Sequence, residues 1–214
     1  MSKFITPLGE IAIIILGHAS LLIQWEGKNI FIDPYSKVAN FSLQPKADLV
    51  LITHHHSDHF DAEAIKKIAG KNTKYVTSLI VKKSIKEATG LKQGEEFNYN
   101  GLKIKAVYAY NINQKRDDGQ PFHPRGEGNG YILDFGGFRV YIAGDTELIP
   151  EMKELGSIDI AFLPKNLPYT MSDNMFIEAA KTIMPKILYP YHYSQLDTSA
   201  IKSKLPEGVT LYTK

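Results

Sequence analysis

Between positions 54 and 59 the chain reads His54-His55-His56-Ser57-Asp58-His59, four imidazoles and a carboxylate directly after the apolar run Leu49-Val50-Leu51-Ile52. Imidazole and carboxylate are the side chains that hold borderline divalent cations such as zinc, manganese or iron. A purification tag would sit at a terminus and would lack the interposed Asp, so this segment reads as a metal site. If a strand ends near Thr53, His54 and His56 stand two apart and can project together from an extended backbone while His55 turns away. Asp58 and His59, a turn later, can then face a second ion, which makes two adjacent metals the expectation.

Such a cluster needs rigid elements behind it. Residues 11–16 and 19–25 read as consecutive strands, Glu26-Gly27-Lys28-Asn29 supplies turn chemistry, and 30–32 continues as a strand. Residues 48–53 form a more fully buried strand that ends at the histidines. Asp61 opens an amphipathic helix with Ile65 and Ile68 on one face, ended by Gly70; residues 78–88 read as another helix, stopped by Gly90. Residues 101–108 alternate as a strand and lead into a long polar insert, 111–129, of the kind that often carries function. A hairpin of 130–135 and 138–143 about Gly136-Gly137 delivers Gly144-Asp145-Thr146. A strand at 158–163, a helix capped at 172–174 and running to about Met184, and a strand at 186–189 then present His192. This succession indicates a mixed α/β fold.

The pattern His-x-His-x-Asp-His after a hydrophobic strand resembles the metallo-β-lactamase-fold superfamily of metal-dependent hydrolases. Further landmarks appear in order in Phe31-Ile32-Asp33-Pro34, Tyr141-Ile142-Ala143-Gly144-Asp145-Thr146 and Tyr189-Pro190-Tyr191-His192-Tyr193, so the resemblance runs from about Gly17 to His192. Gly17-His18-Ala19-Ser20 and Tyr169-Thr170-Met171 look like the small single-domain branch that includes L-ascorbate-6-phosphate lactonase-like proteins. The resemblance implies one α/β domain over 1–214, a four-layer αββα sandwich with its ligand-bearing loops at one edge. It implies His54 and His56 at a first metal, Asp58, His59 and His192 at a second, and Asp145 between them. Two divalent ions roughly 3.5–4 Å apart can share a hydroxide and polarise the bond under attack, with zinc the expected metal and manganese or iron the alternatives.

Around these ligands, Asp33 fits an acceptor for the free ring N–H of a metal-bound His, although it could be only a turn residue before Pro34. His18 could contribute a proton or a hydrogen bond, or be a satisfied structural histidine. With Asp58 these make the expected catalytic set. The chain departs from the family after the strand 101–108, where most relatives supply a third His for the first metal and this sequence has Ala109-Tyr110-Asn111. His123, twelve residues on, could fill that position, touch substrate, or lie at the surface. The proline-rich stretch 163–171 reads as a site wall, in which Lys165 could attract an anion, or be only a solvated lysine, and Tyr169 donate to it; Arg116 and Arg125 are further candidates to clamp an anion.

Bulk properties narrow the function. A chain of 214 residues, 43% hydrophobic and 22% charged, can bury one sizeable core. Its formal charge of +2, from 25 basic and 23 acidic residues, is close to balance, which argues against a nucleic-acid partner and favours a small-molecule substrate. There is no cysteine, so any metal is held by nitrogen and oxygen. The apolar run 11–16 is too short for an export signal or a membrane span, which points to the cytoplasm. The expected activity is hydrolysis of a small, anionic ester, lactone or phosphodiester. The alternatives are a compact nuclease and a metal-binding or sensor protein of little catalytic power.

Overall fold

In the computed structural model, which describes residues 1–213, the strands divide into two sheets of seven, each built on the same plan. In the first, β1 (Ser2–Thr6), β2 (Gly9–Gly17), β3 (Ser20–Trp25) and β4 (Lys28–Ile32) form an antiparallel meander. From β4, the strands β5 (Leu49–Ile52), β6 (Lys74–Ser78) and β7 (Thr89–Leu91) continue in parallel. In the second, β8 (Glu96–Tyr99), β9 (Leu102–Ala109), β10 (Gly128–Asp134) and β11 (Arg139–Ile142) are antiparallel, and β12 (Ile160–Pro164), β13 (Ile187–Tyr191) and β14 (Thr210–Leu211) extend β11 in parallel. The helices are α1 (Ala62–Ile68), α2 (Leu79–Lys82), α3 (Asp173–Ile183) and α4 (Thr198–Lys202).

The two-residue period of the strands creates three apolar layers. Leu49 and Leu51 of β5 point to the shared middle layer, where they join Ile30, Ile32, Tyr131, Leu133, Ile160 and Phe162. Their neighbours Val50 and Ile52 point outward and pack with Ala64, Ile65 and Ile68 of α1. On the other side Tyr141, Ala161 and Leu163 pack with Phe176, Ile177 and Ala180 of α3. Strands buried on both faces are apolar throughout, which is why Leu49-Val50-Leu51-Ile52 shows no alternation. Each such side chain stabilises the fold by ~1.5–3 kcal/mol. The layers stack as helix, sheet, sheet and helix, the four-layer sandwich expected. Asp33, His54, Asp145 and His192 each follow the end of β4, β5, β11 and β13, strands whose C-terminal ends converge on one edge.

Several elements differ from the sequence reading, in which β1, β6, β8, α4 and β14 have no counterpart. The helix expected over 78–88 is a single turn, α2, preceded by the strand β6: Val76 fills the middle layer, and α2 itself contributes only Val81 as a buried anchor. Gly90 belongs to β7, where a side chain would come within 2.7 Å of Lys82 Cδ, so it permits close packing on α2. The insert stops at Glu127, since β10 already begins at Gly128, and it is cross-braced by a bridge of Lys115 with Pro121. No helix among the described residues is long and apolar enough to cross a membrane.

Candidate metal centre

Asp33 is fully buried beyond β4 and organises the floor of the site. Its Oδ1 accepts Thr53 N–H at 2.8 Å, and its Oδ2 accepts Thr53 Oγ1 at 2.6 Å and faces His59 Nδ1 at 2.8 Å. A carboxylate only accepts, so His59 Nδ1 carries a proton, while Nε2 points at Asp145, 3.3 Å away. Thr53, which the sequence reading passed over, also lies 3.0 Å from His54 Nδ1 through its hydroxyl. A buried threonine directly before a His cluster was the available signal.

The remaining candidates gather on this floor. His18, Asp58, His59 and His192 form one group of potential ligands, His54, His56 and His123 a second, and His54, His59 and Asp145 a third; within each group the ligand atoms lie within 4.8 Å of one another. Asp145 Oδ2 is 3.2 Å from both His123 Nε2 and His192 Nε2, and so stands between the first two groups. His18 Nε2 meets Asp58 Oδ2 at 2.9 Å, and its ring lies 3.9 Å from that of His192. His55 is exposed and belongs to none of the groups. His18, Asp33 and His192 have φ of +50°, +43° and +50°, a left-handed backbone that costs non-glycine residues roughly 1–3 kcal/mol each and that clusters at functional sites.

The donor set fits divalent metal. His54 Nε2, His59 Nε2, His192 Nε2 and Asp145 Oδ1 are all buried without a hydrogen-bond partner. Each such orphan costs ~1–3 kcal/mol, and four of them converging are what cations would satisfy. The electrostatics divide the histidines into two kinds. Burial pushes His54 well below its ordinary value and His56 down to about 4, keeping both imidazoles neutral as ligands must be. Burial also works against a charge on His59, but the Asp145 and Asp33 carboxylates override it and hold the ring well above its ordinary value. Asp145 and Asp58 resist burial in turn: His192 and His59 keep Asp145 ionised, and the hydrogen bond to His18, with the His192 and His59 rings close by, keeps Asp58 so.

His123 is brought fully into the centre, with its Nε2 3.2 Å from His56 Nδ1. Asn111, where the family resemblance led to the expectation of a His, faces the ring's other side: its Oδ1 is 2.6 Å from His123 Nδ1. Behind Asn111 lies Glu147, a fully buried carboxylate that the sequence reading missed although it follows Gly144-Asp145-Thr146 directly.

The centre opens into a cleft of about 400 Å³ whose walls include Arg116, Phe122, Asn166 and Tyr169. Phe122 and Tyr169 meet edge to face at 5.1 Å, and the Arg116 guanidinium lies 5.0 Å from the Phe122 ring. Lys165, expected on this wall, is instead turned to Asp173 at 2.7 Å and to the Gln195 carbonyl at 3.2 Å, because its site lies beside the start of α3. Arg125 likewise pairs with Glu151 at 2.8 Å and stacks 4.0 Å from the Tyr108 ring, away from the cleft. Of the cationic candidates, Arg116 alone lines the cleft among the described residues.

A model of the Beta-lactamase superfamily domain matches residues 12–192. A UPF0173 metal-dependent hydrolase of Thermoplasma acidophilum is 33% identical over 198 residues, covering 85% of this chain and 82% of that protein. Among solved structures, a protein from Parabacteroides distasonis described as a metal-dependent hydrolase is 43% identical with a TM-score of 0.93, covering 99% of this chain and 96% of that one. Igni18, a metallo hydrolase of Ignicoccus hospitalis, is 26% identical with a TM-score of 0.75 and 94% coverage of each chain.

Proposed function

The chain belongs to the Beta-lactamase superfamily and is a metal-dependent hydrolase, and we propose that it is a cytoplasmic enzyme that uses two zinc ions on a small anionic ester, lactone or phosphodiester. His54, His56 and His123 would hold the first ion, Asp58, His59 and His192 the second, and Asp145 would contact both. The observation that carries this reading is the convergence of four buried, unpartnered ligand atoms on one space. Three imidazoles with an open position suit zinc better than the oxygen-preferring cations. When bound, a pair of divalent ions activates water at neutral pH and polarises the bond under attack.

The chain's own residues supply orientation and selectivity. Asp33 fixes the proton of His59 on Nδ1, and His18 holds Asp58 in place. Arg116, on the cleft wall, offers a planar pair of donors for a phosphate or carboxylate, while the edge of Phe122 and Tyr169 accommodates an apolar portion. A single cation on the wall suits a compact anion rather than the polyanionic backbone of a nucleic acid.

The test is a panel of lactones, phosphodiesters and neutral esters assayed with added zinc or manganese. Hydrolysis of an anionic member, lost in Asp58→Ala and shifted about tenfold in KM with little change in kcat in Arg116→Ala, is the expected result. Equal effects of Arg116→Ala on charged and neutral substrates would remove the anion from the proposal.

A further inference from the structure

We infer that Glu147 and Asn111 act as a relay of positioning residues that sets the proton of His123 and aims its Nε2 at the first metal; the inference rests on the proposed role of His123 as a ligand. Asn111 is 5% exposed and has its whole amide engaged. Its Oδ1 accepts the backbone N–H of His123 at 2.9 Å and faces His123 Nδ1 at 2.6 Å; its Nδ2 donates to Glu147 Oε1 at 3.1 Å and to the Tyr169 carbonyl at 2.9 Å. Those two acceptors fix which end of the amide is nitrogen, because Glu147 and a carbonyl can only accept. Oδ1 must therefore face the ring, Nδ1 must carry the proton, and Nε2 is left with its lone pair toward His56 and Asp145.

Glu147 is in turn overdetermined. Besides Asn111 it accepts the backbone N–H groups of Ile112, Asn113 and Gln114 at 3.2, 2.9 and 2.6 Å and the Asn113 amide at 2.9 Å. Five donors on one buried carboxylate pin the start of the insert that carries His123 twelve positions later. The arrangement accounts for an asparagine where the resemblance led to the expectation of a ligand: the imidazole comes from the insert, and Asn111 orients it. Orienting partners of this kind are typically worth 10–100-fold in metal affinity.

Asn111→Leu keeps the shape of the side chain and removes every one of these bonds; Glu147→Gln leaves an N–H opposed to at least two donors. In the metal-free full-length protein at pH 8.5, ¹⁵N–¹H correlation of the histidine rings should find His123 protonated at Nδ1. In Asn111→Leu that signal should give way to the Nε2 form or a mixture. Zinc titrated against a chromophoric chelator should bind one site about 10–100-fold more weakly in both variants, with the other site unchanged. A wild-type His123 protonated at Nε2, or an Asn111→Leu variant with unchanged tautomer and zinc affinity, would overturn the relay. The wild-type spectrum decides the matter even if a variant fails to fold. His123→Ala separates the underlying reading: if it leaves both zinc affinities intact, His123 is no ligand, while the tautomer still reports on Asn111.

Discussion

Asp33→Asn changes one atom and should uncouple metal binding from folding. An asparagine there must keep its oxygen on Thr53 N–H, because an amide N–H cannot accept. Its Nδ2 then faces Thr53 Oγ1 and His59 Nδ1, where the wild-type carboxylate accepts at 2.6 and 2.8 Å. His59 Nδ1 becomes the acceptor and the ring proton moves to Nε2, the atom aimed at Asp145. Exchanging charge-assisted bonds for neutral ones costs about 1–3 kcal/mol, or roughly 2–12 °C in Tm for a chain of this size. To bind zinc at the second site the ring must instead keep its proton on Nδ1, now opposed to an amide N–H rather than a carboxylate, and the affinity should fall by about 10–100-fold. Asp33→Ala instead leaves Thr53 N–H and His59 Nδ1 unpaired in a buried space, a loss of about 2–6 kcal/mol. Thermal unfolding with chelator gives the stability and competition with a chromophoric chelator gives the affinity. If Asp33→Asn binds zinc at both sites like wild type, Asp33 does not set the His59 tautomer and the reasoning fails.

Gly144 has φ of +66°, and an added Cβ would lie 2.8 Å from the Asn129 carbonyl oxygen. Gly144→Ala should cost about 1–3 kcal/mol by thermal unfolding and, by displacing Asp145, weaken zinc at both sites together; a variant as stable as wild type would show that the turn can relax. The metal-free protein should be most stable near pH 6–7. His54 and His56 have lowered values in the fold, so the stability they confer is present above their unfolded value of about 6.5 and is lost as pH falls, for His56 down to about 4. His59 is raised, so its contribution is present below about 6.5 and is lost as pH climbs through its folded value. Tm measured against pH in chelator would contradict this with a monotonic rise from pH 4 to 9.

Most candidate ligands were legible because they follow strands strong enough to read from sequence. β5 is an unbroken apolar run, and β11 and β13 are followed within three residues by Asp145 and His192. Edge strands were not legible: β1 buries Phe4 only partly and exposes Ile5, and β14 is two residues long. The segment 78–88 has helical spacing but few apolar anchors, and tertiary pairing of β6 and β7 with the first sheet decides its conformation. Lys165 misled because a lysine near a predicted site wall carries no sign of the Asp173 that neutralises it. Asn111 and Glu147 could be noticed as a departure and an acid, but their pairing across 36 residues exists only in the fold.

Metal content per chain, measured by elemental analysis on untagged protein purified without chelator and again after zinc or manganese is added back, tests the two-ion centre most directly. Two equivalents per chain are expected, falling to one in His123→Ala. One equivalent or none in the wild type after reconstitution would contradict the two-ion centre, however well the fold matches its relatives.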